Sequence, residues 1–327
     1  MNSKSQDEVQ IMRTLKYDMK VTALEGVTND ATAKQYKTKI NEFAEWAKNE
    51  FKIRCSHEVE DPEALIKRYC DCLIEKNYTP STIHTYLAPV CKGLRVTMAQ
   101  IDNKPKRTAG QIIKTRNPDK NLRGQIDAQN PKNDRVLRAQ KCIGIRKSEL
   151  MKLRGDALTT DINGEMCVKV ISGKGGKDQM QVILPKDRDF VKTLFEGLGP
   201  EDRVFTKTEK NGSAHVSLHS LRAEHAREAY DYYAKISNTP EGKQVLKNKL
   251  VNTFMEYHGR KGLNRSLKTF EMDMVTGNGR YVLRGENKER AIAAGRPTEY
   301  DRVALMCVSV WHLSHWRCDV TVKNYML

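Results

Sequence analysis

Leu313-Ser314-His315-Trp316-Arg317-Cys318-Asp319-Val320-Thr321-Val322-Lys323-Asn324-Tyr325-Met326-Leu327 is the stretch on which the fold is decided. A histidine stands at the end of an expected helix, and a tyrosine follows ten residues later. Two upstream stretches complete the pattern: Gly144-Ile145-Arg146-Lys147-Ser148-Glu149-Leu150 and His219-Ser220-Leu221-Arg222. Arg146, Arg222, His219, His315 and Tyr325 form a set suited to a phosphodiester in transfer. Guanidinium forks clamp non-bridging oxygens, imidazoles move protons and a phenol attacks. Taken singly, each residue has a plainer reading. An arginine on an amphipathic helix is ordinarily a solvated face residue. His-x-x-Arg places both side chains on one helix face but recurs by chance, and a tyrosine near a chain end is ordinarily packing.

Outward from this set, helical periodicity dominates. Ala31 to Phe51 reads as a helix carrying Tyr36, Ile40, Phe43 and Ala47, with Asp30 as its cap. Asp61-Pro62-Glu63 opens another helix, since proline at the first helical position loses no hydrogen bond. Thr79-Pro80-Ser81 opens a third, in which Pro89 marks a kink or the late turns. The first hundred residues therefore read as a helical bundle. Further on, Met166 to Ser172 and Gln179 to Leu184 are β-rich runs around Gly173-Lys174-Gly175-Gly176-Lys177, a hairpin pattern. Helices are expected again over Leu218 to Ala234, Gln244 to Tyr257 and Thr298 to Leu313. The fold class is mainly α with a small antiparallel β-sheet (α+β).

The glycine-rich turn lacks the spacing and the Lys-Ser/Thr ending of a Walker loop, and it joins two strands, which argues against nucleotide binding. Lys174 on a hairpin tip can enter a DNA groove and protonate a leaving oxygen; a solvated turn is the alternative. The formal net charge of +16 over 327 residues favours an anionic partner, most simply nucleic acid. The bias is local: from Asp102 to Gly155 there are 15 Lys/Arg against 5 Asp/Glu. No apolar run reaches the roughly 18 residues of a membrane span, and residues 1–20 carry no signal-peptide core. The eight cysteines are scattered. Cys70-Asp71-Cys72 has one intervening residue rather than the two of a zinc knuckle, so reduced thiols are the better reading and no metal or cofactor is expected.

The order arginine, hairpin lysine, His-x-x-Arg, histidine, tyrosine resembles that of the tyrosine recombinase (phage integrase) family, over most of the chain. Ser81-Thr82-Ile83-His84-Thr85-Tyr86-Leu87 resembles part of the helical DNA-clamping domain of those enzymes. The resemblance implies a leader at 1–25, a helical core DNA-binding domain at 26–103, a linker at 104–133 and a catalytic domain at 134–327. The two domains would close as a C-shaped clamp on double-stranded DNA. Carried over by motif, Arg146 and Arg222 would clamp the phosphate, Lys174 would be the general acid, His219 and His315 would handle protons and contact the phosphate, and Tyr325 would be the nucleophile. Implied too are a tetramer on paired DNA sites, an accessory DNA-bending or directionality factor, and a cytoplasmic, nucleoid-associated setting serving a phage or other mobile element. The alternative is a non-catalytic DNA-binding transcriptional regulator on the same scaffold.

Three departures stand out. Leu313-Ser314-His315 replaces the family's Leu-Gly-His, losing a helix-ending glycine. His219 and His315 are 96 residues apart, which marks residues 235–300 as an insertion, either a surface excursion or an arm for a neighbouring subunit. Only Met326 and Leu327 follow Tyr325, where many members carry a terminal helix.

Overall fold

The computed structural model describes residues 13–107, 122–173, 176, 178–263 and 265–327. The chain divides into two compact units, Met1–Ile113 and Lys114–Leu327.

The first unit is built from α1 (Leu15–Leu24), α2 (Asp30–Phe51), α3 (Pro62–Glu75) and α4 (Pro80–Gly93). Local chemistry sets their starts. The Asp61 carboxylate accepts from the Ala64 amide at 2.9 Å, and the Thr79 hydroxyl accepts from the Thr82 amide at 3.3 Å. For α2 the cap is Asn29, which accepts from Thr32, rather than the expected Asp30. Asp30 lies in the first turn, where its charge meets the positive end of the helix dipole. The stripes then interlock, with Ile40, Phe43, Ile66, Tyr69, Leu73, Ile83, Leu87 and Val90 in one core. Pro89 falls in the last turns of α4. The sequence assigns residues 1–25 to a leader, and here the structure differs. Leu15, Met19 and Ala23 of α1 recur every four residues and are fully buried in this core, each large side chain contributing about 1.5–3 kcal/mol.

The second unit opens with α5 (Leu122–Gln129), where the sequence expects linker, followed by α6 (Asp134–Ile143) and α7 (Lys147–Leu150). Strands β1 (Leu158–Thr160), β2 (Met166–Val170) and β3 (Gln179–Val182) form an antiparallel sheet in chain order, with Leu158 opposite Val168 and Cys167 opposite Val182. Strand alternation sends neighbours to opposite faces. Accordingly Cys167 and Val182 enter one core, while Val168, Val170 and Ile183 enter another. The hairpin expected from the sequence is thus present, covered on both sides. Lys174 and Lys177, which the sequence places between β2 and β3, lie outside the described residues.

After α8 (Arg188–Thr193) and α9 (Lys207–Gly212) comes α10 (Leu218–Ser237), which packs against α6, α11 and α14. The segment set apart at 235–300 forms α11 (Pro240–Lys261), α12 (Leu267–Val275), β4 (Arg280–Val282), α13 (Gly285–Ala293) and β5 (Glu299–Asp301). It is no surface excursion: Leu250, Phe254, Phe270, Met274 and Tyr300 are buried in the same core as α10. The single helix expected over Thr298 to Leu313 is interrupted. Its start is β5, paired to β4, and Asp301 then caps α14 (Arg302–Cys307) by accepting from Ala304 at 3.0 Å. The helix widens into a π turn at Val308–His312, and α15 (Cys318–Thr321) runs into a second π turn at Val322–Met326. Among the described residues no helix is long and apolar enough to cross a membrane. All eight cysteines are free thiols.

Candidate active site

Helix α6 ends at Ile143, and Gly144 turns the chain with φ +70°. A Cβ on Gly144 would sit 2.1 Å from the His225 ring, so both conformation and space demand glycine. The turn delivers Arg146 as the cap residue of α7, where the sequence expects one helix running into Arg146. Glu149, itself buried, accepts from the Arg146 amide at 2.9 Å and from its guanidinium at 2.8 Å. Arg146 is thereby aimed by an ion pair within one turn.

His219 and Arg222 share the first turns of α10. Arg222 is fully buried, and its fork reaches three segments. Nη1 donates to the Gly144 carbonyl at 2.6 Å, Nη2 to the Leu313 carbonyl at 3.1 Å and Nε to the Tyr325 hydroxyl at 3.3 Å. Burial pulls the guanidinium's pKa down, the Tyr325 oxygen opposes that, and nearby Arg146 adds to it. The Tyr325 ring lies 5.5 Å from the His219 ring and 5.7 Å from the His315 ring between centroids, with His315 Nε2 3.5 Å from its hydroxyl. His219, Arg222, His315 and Tyr325 therefore converge on one point, and Arg146 acts on Arg222 electrostatically. Lys174 lies outside the described residues.

Tyr325 is only 4% exposed. Its π turn is tied down by cations and a phenol: Arg227 donates to the Tyr325 carbonyl at 3.1 Å, Arg296 and Tyr300 to the Met326 carbonyl at 3.3 and 3.4 Å. Ser314 adopts φ +55°, the left-handed conformation that glycine favours.

Beneath the site runs a buried polar chain that motif reading passes over. His225 Nδ1 lies 2.7 Å from the Lys141 carbonyl and must donate to it. Its Nε2 then accepts from His312 Nδ1 at 2.8 Å, and His312 Nε2 accepts from the Tyr233 hydroxyl at 3.1 Å. Both rings are neutral in this arrangement. Burial drives His225 down to about 4 and His312 well below the usual histidine value. The available signal was spacing: His225 lies one turn beyond Arg222, and His312 three residues before His315.

A cavity of about 800 Å³ adjoins the start of α10, bordered by Ser217, Ser220, Phe190 and the α6 cations Arg135, Arg138 and Lys141. Among the described residues, no group of three or more His, Cys, Asp or Glu is arranged to hold a metal ion.

No family model matches the chain, and no curated protein matches it. A solved structure described as that of XerA recombinase is similar over 65% of this chain and 82% of that chain, at 16% identity and a TM-score of 0.22. A likeness this loose establishes neither fold nor chemistry.

Proposed function

We propose that this chain is a tyrosine-type site-specific DNA recombinase, a cutting and rejoining enzyme for a phage or other mobile element. The supporting observation is the convergence of Arg222 and His315 on the hydroxyl of Tyr325, with the His219 ring beside the tyrosine ring. In the proposed step the Tyr325 oxygen attacks a scissile phosphate and the bond to the 5′ oxygen breaks. A 3′-phosphotyrosine and a free 5′-hydroxyl result. The phenol's proton passes to a histidine, and Lys174 supplies the proton taken up by the leaving oxygen. Arg146 and Arg222 stabilise the charge that builds on the phosphate oxygens. A 5′-hydroxyl of the partner strand reverses the step, so bond energy is kept in the covalent link and no nucleotide is consumed. Paired DNA sites and four protomers, with an accessory DNA-bending factor, complete the exchange on this reading.

A second reading is a non-catalytic DNA-binding regulator, and the full burial of Arg222 favours it. On the recombinase reading, incoming phosphate must displace the Tyr325 hydroxyl from Arg222 Nε before attack. Trapping on a nicked suicide duplex separates the two. The wild-type chain is expected to form a detergent-resistant protein–DNA adduct. Tyr325→Phe should form none while binding duplex nearly as well, because only one oxygen is lost. Duplex binding without an adduct would leave the regulator. An adduct from the Phe variant would unseat Tyr325 as nucleophile. A two-site exchange assay then distinguishes recombination from simple relaxation of DNA.

A further inference from the structure

His315 stands between two residues in the left-handed conformation, Ser314 at φ +55° and Trp316 at φ +60°. For a side chain as bulky as tryptophan this is a true outlier, and such a conformation persists only where its surroundings over-determine it. The surroundings of Trp316 do so. Its ring is buried, with centroids 5.1 Å from Tyr257, 6.0 Å from Phe270 and 6.1 Å from Phe254. These three rings come from α11 and α12. Among the described residues the buried indole N–H has no hydrogen-bond partner, so shape seats the ring. The Trp316 carbonyl accepts from Arg265, whose other nitrogen is held by the Thr269 carbonyl and the Asp273 carboxylate, each at 3.0 Å. The chain is pinned from the opposite side as well. Ser309 of the π turn accepts the His315 amide at 2.8 Å on its carbonyl and the Arg317 amide at 2.8 Å on its hydroxyl.

We propose that Trp316, wedged among Tyr257, Phe254 and Phe270, is a positioning residue that fixes the reach of His315 toward the Tyr325 hydroxyl. The 235–300 segment then has a task within its own protomer: α11 and α12 form the socket that holds the histidine loop in its strained turn. The proposal rests on the recombinase reading for its consequence in catalysis, but not for its geometry.

The test uses the full chain with two substitutions, Trp316→Phe, which shortens the wedge, and Tyr257→Leu, which loosens the socket from a residue outside the site. Single-turnover adduct formation at saturating nicked duplex should slow by about tenfold or more, the sensitivity expected of a misplaced proton-handling group. Duplex affinity should hold. In a His315→Ala background the same substitutions should change the rate by less than about twofold, because the group they position is already gone. Amide exchange at His315 should speed up while amides in α6 do not change. An equal slowing in both backgrounds, or an unchanged rate in folded variants, would overturn the proposal. If the wild-type chain forms no adduct, the recombinase reading falls instead. The exchange measurement then decides: faster exchange at His315 upholds the anchoring, and unchanged exchange refutes it.

Discussion

Arg222 holds the Gly144 and Leu313 carbonyls as well as the Tyr325 hydroxyl. Two consequences of its replacement can be measured apart. Arg222→Ala should slow cleavage by about 10²–10³-fold, the effect of removing one preorganised charge stabiliser. It should also lower the melting temperature, since each buried carbonyl left without a donor costs about 1–3 kcal/mol. Arg146→Ala should slow cleavage similarly with a smaller thermal penalty, because Arg146 is partly exposed and its guanidinium, among the described residues, is paired to the Glu149 side chain within its own turn. Equal melting shifts for the two variants would contradict the assigned roles. Ser314 gives a prediction of opposite sign. A left-handed serine costs roughly 1–2 kcal/mol that glycine avoids, so Ser314→Gly should melt at the same or a higher temperature. A clear loss of stability would mean that the serine side chain, not the turn, is what the position needs.

The elements supply a pH prediction. Unfolded, His225 and His312 titrate near the ordinary histidine value of about 6.5; folded, burial holds His225 down to about 4 and His312 well below its ordinary value. Below 6.5 the unfolded chain binds protons that the folded chain refuses. The stability from these neutral rings is therefore complete above about 6.5 and is lost as pH falls toward 4, on the order of 3 kcal/mol for a shift of this size. Melting temperature should drop over that window, and His225→Gln should flatten the drop; an equally steep profile in the variant would place the titration elsewhere. The same elements explain what sequence could and could not reveal. The starts of α3 and α4 were readable because Asp61-Pro62 and Thr79-Pro80 act locally. Helix α1 was not, because Leu15, Met19 and Ala23 sit in a polar, charged stretch and gain meaning only against α2 and α4. The three-residue strand β1 and the two π turns are imposed by packing, and no local pattern announces them. All six candidate residues are picked by their order along the chain, and five of them, all but Lys174, lie in the described structure. The His225–His312 pair and the Trp316 socket were missed because each is defined by partners at least 45 residues away.

For the whole molecule, net charge is the governing quantity. With +16 overall, binding to DNA should release counterions steeply. If about 8 phosphates are neutralised, log affinity should fall against log salt with a slope near −7. Titration of one duplex at several salt concentrations tests this, and a flat response would exclude backbone clamping. The two units carry separate cores. Expressed apart, 1–113 and 114–327 should each bind far more weakly than the full chain, and full affinity in either would refute a shared grip. The shelter of Tyr325 behind Arg222 carries one more implication at this scale. With 4% of its surface open and its hydroxyl against Arg222, the Tyr325 phenol of the free protein should react slowly with oxidants and electrophiles from solution, and nitration or iodination of Tyr325 should lag behind that of exposed Tyr17.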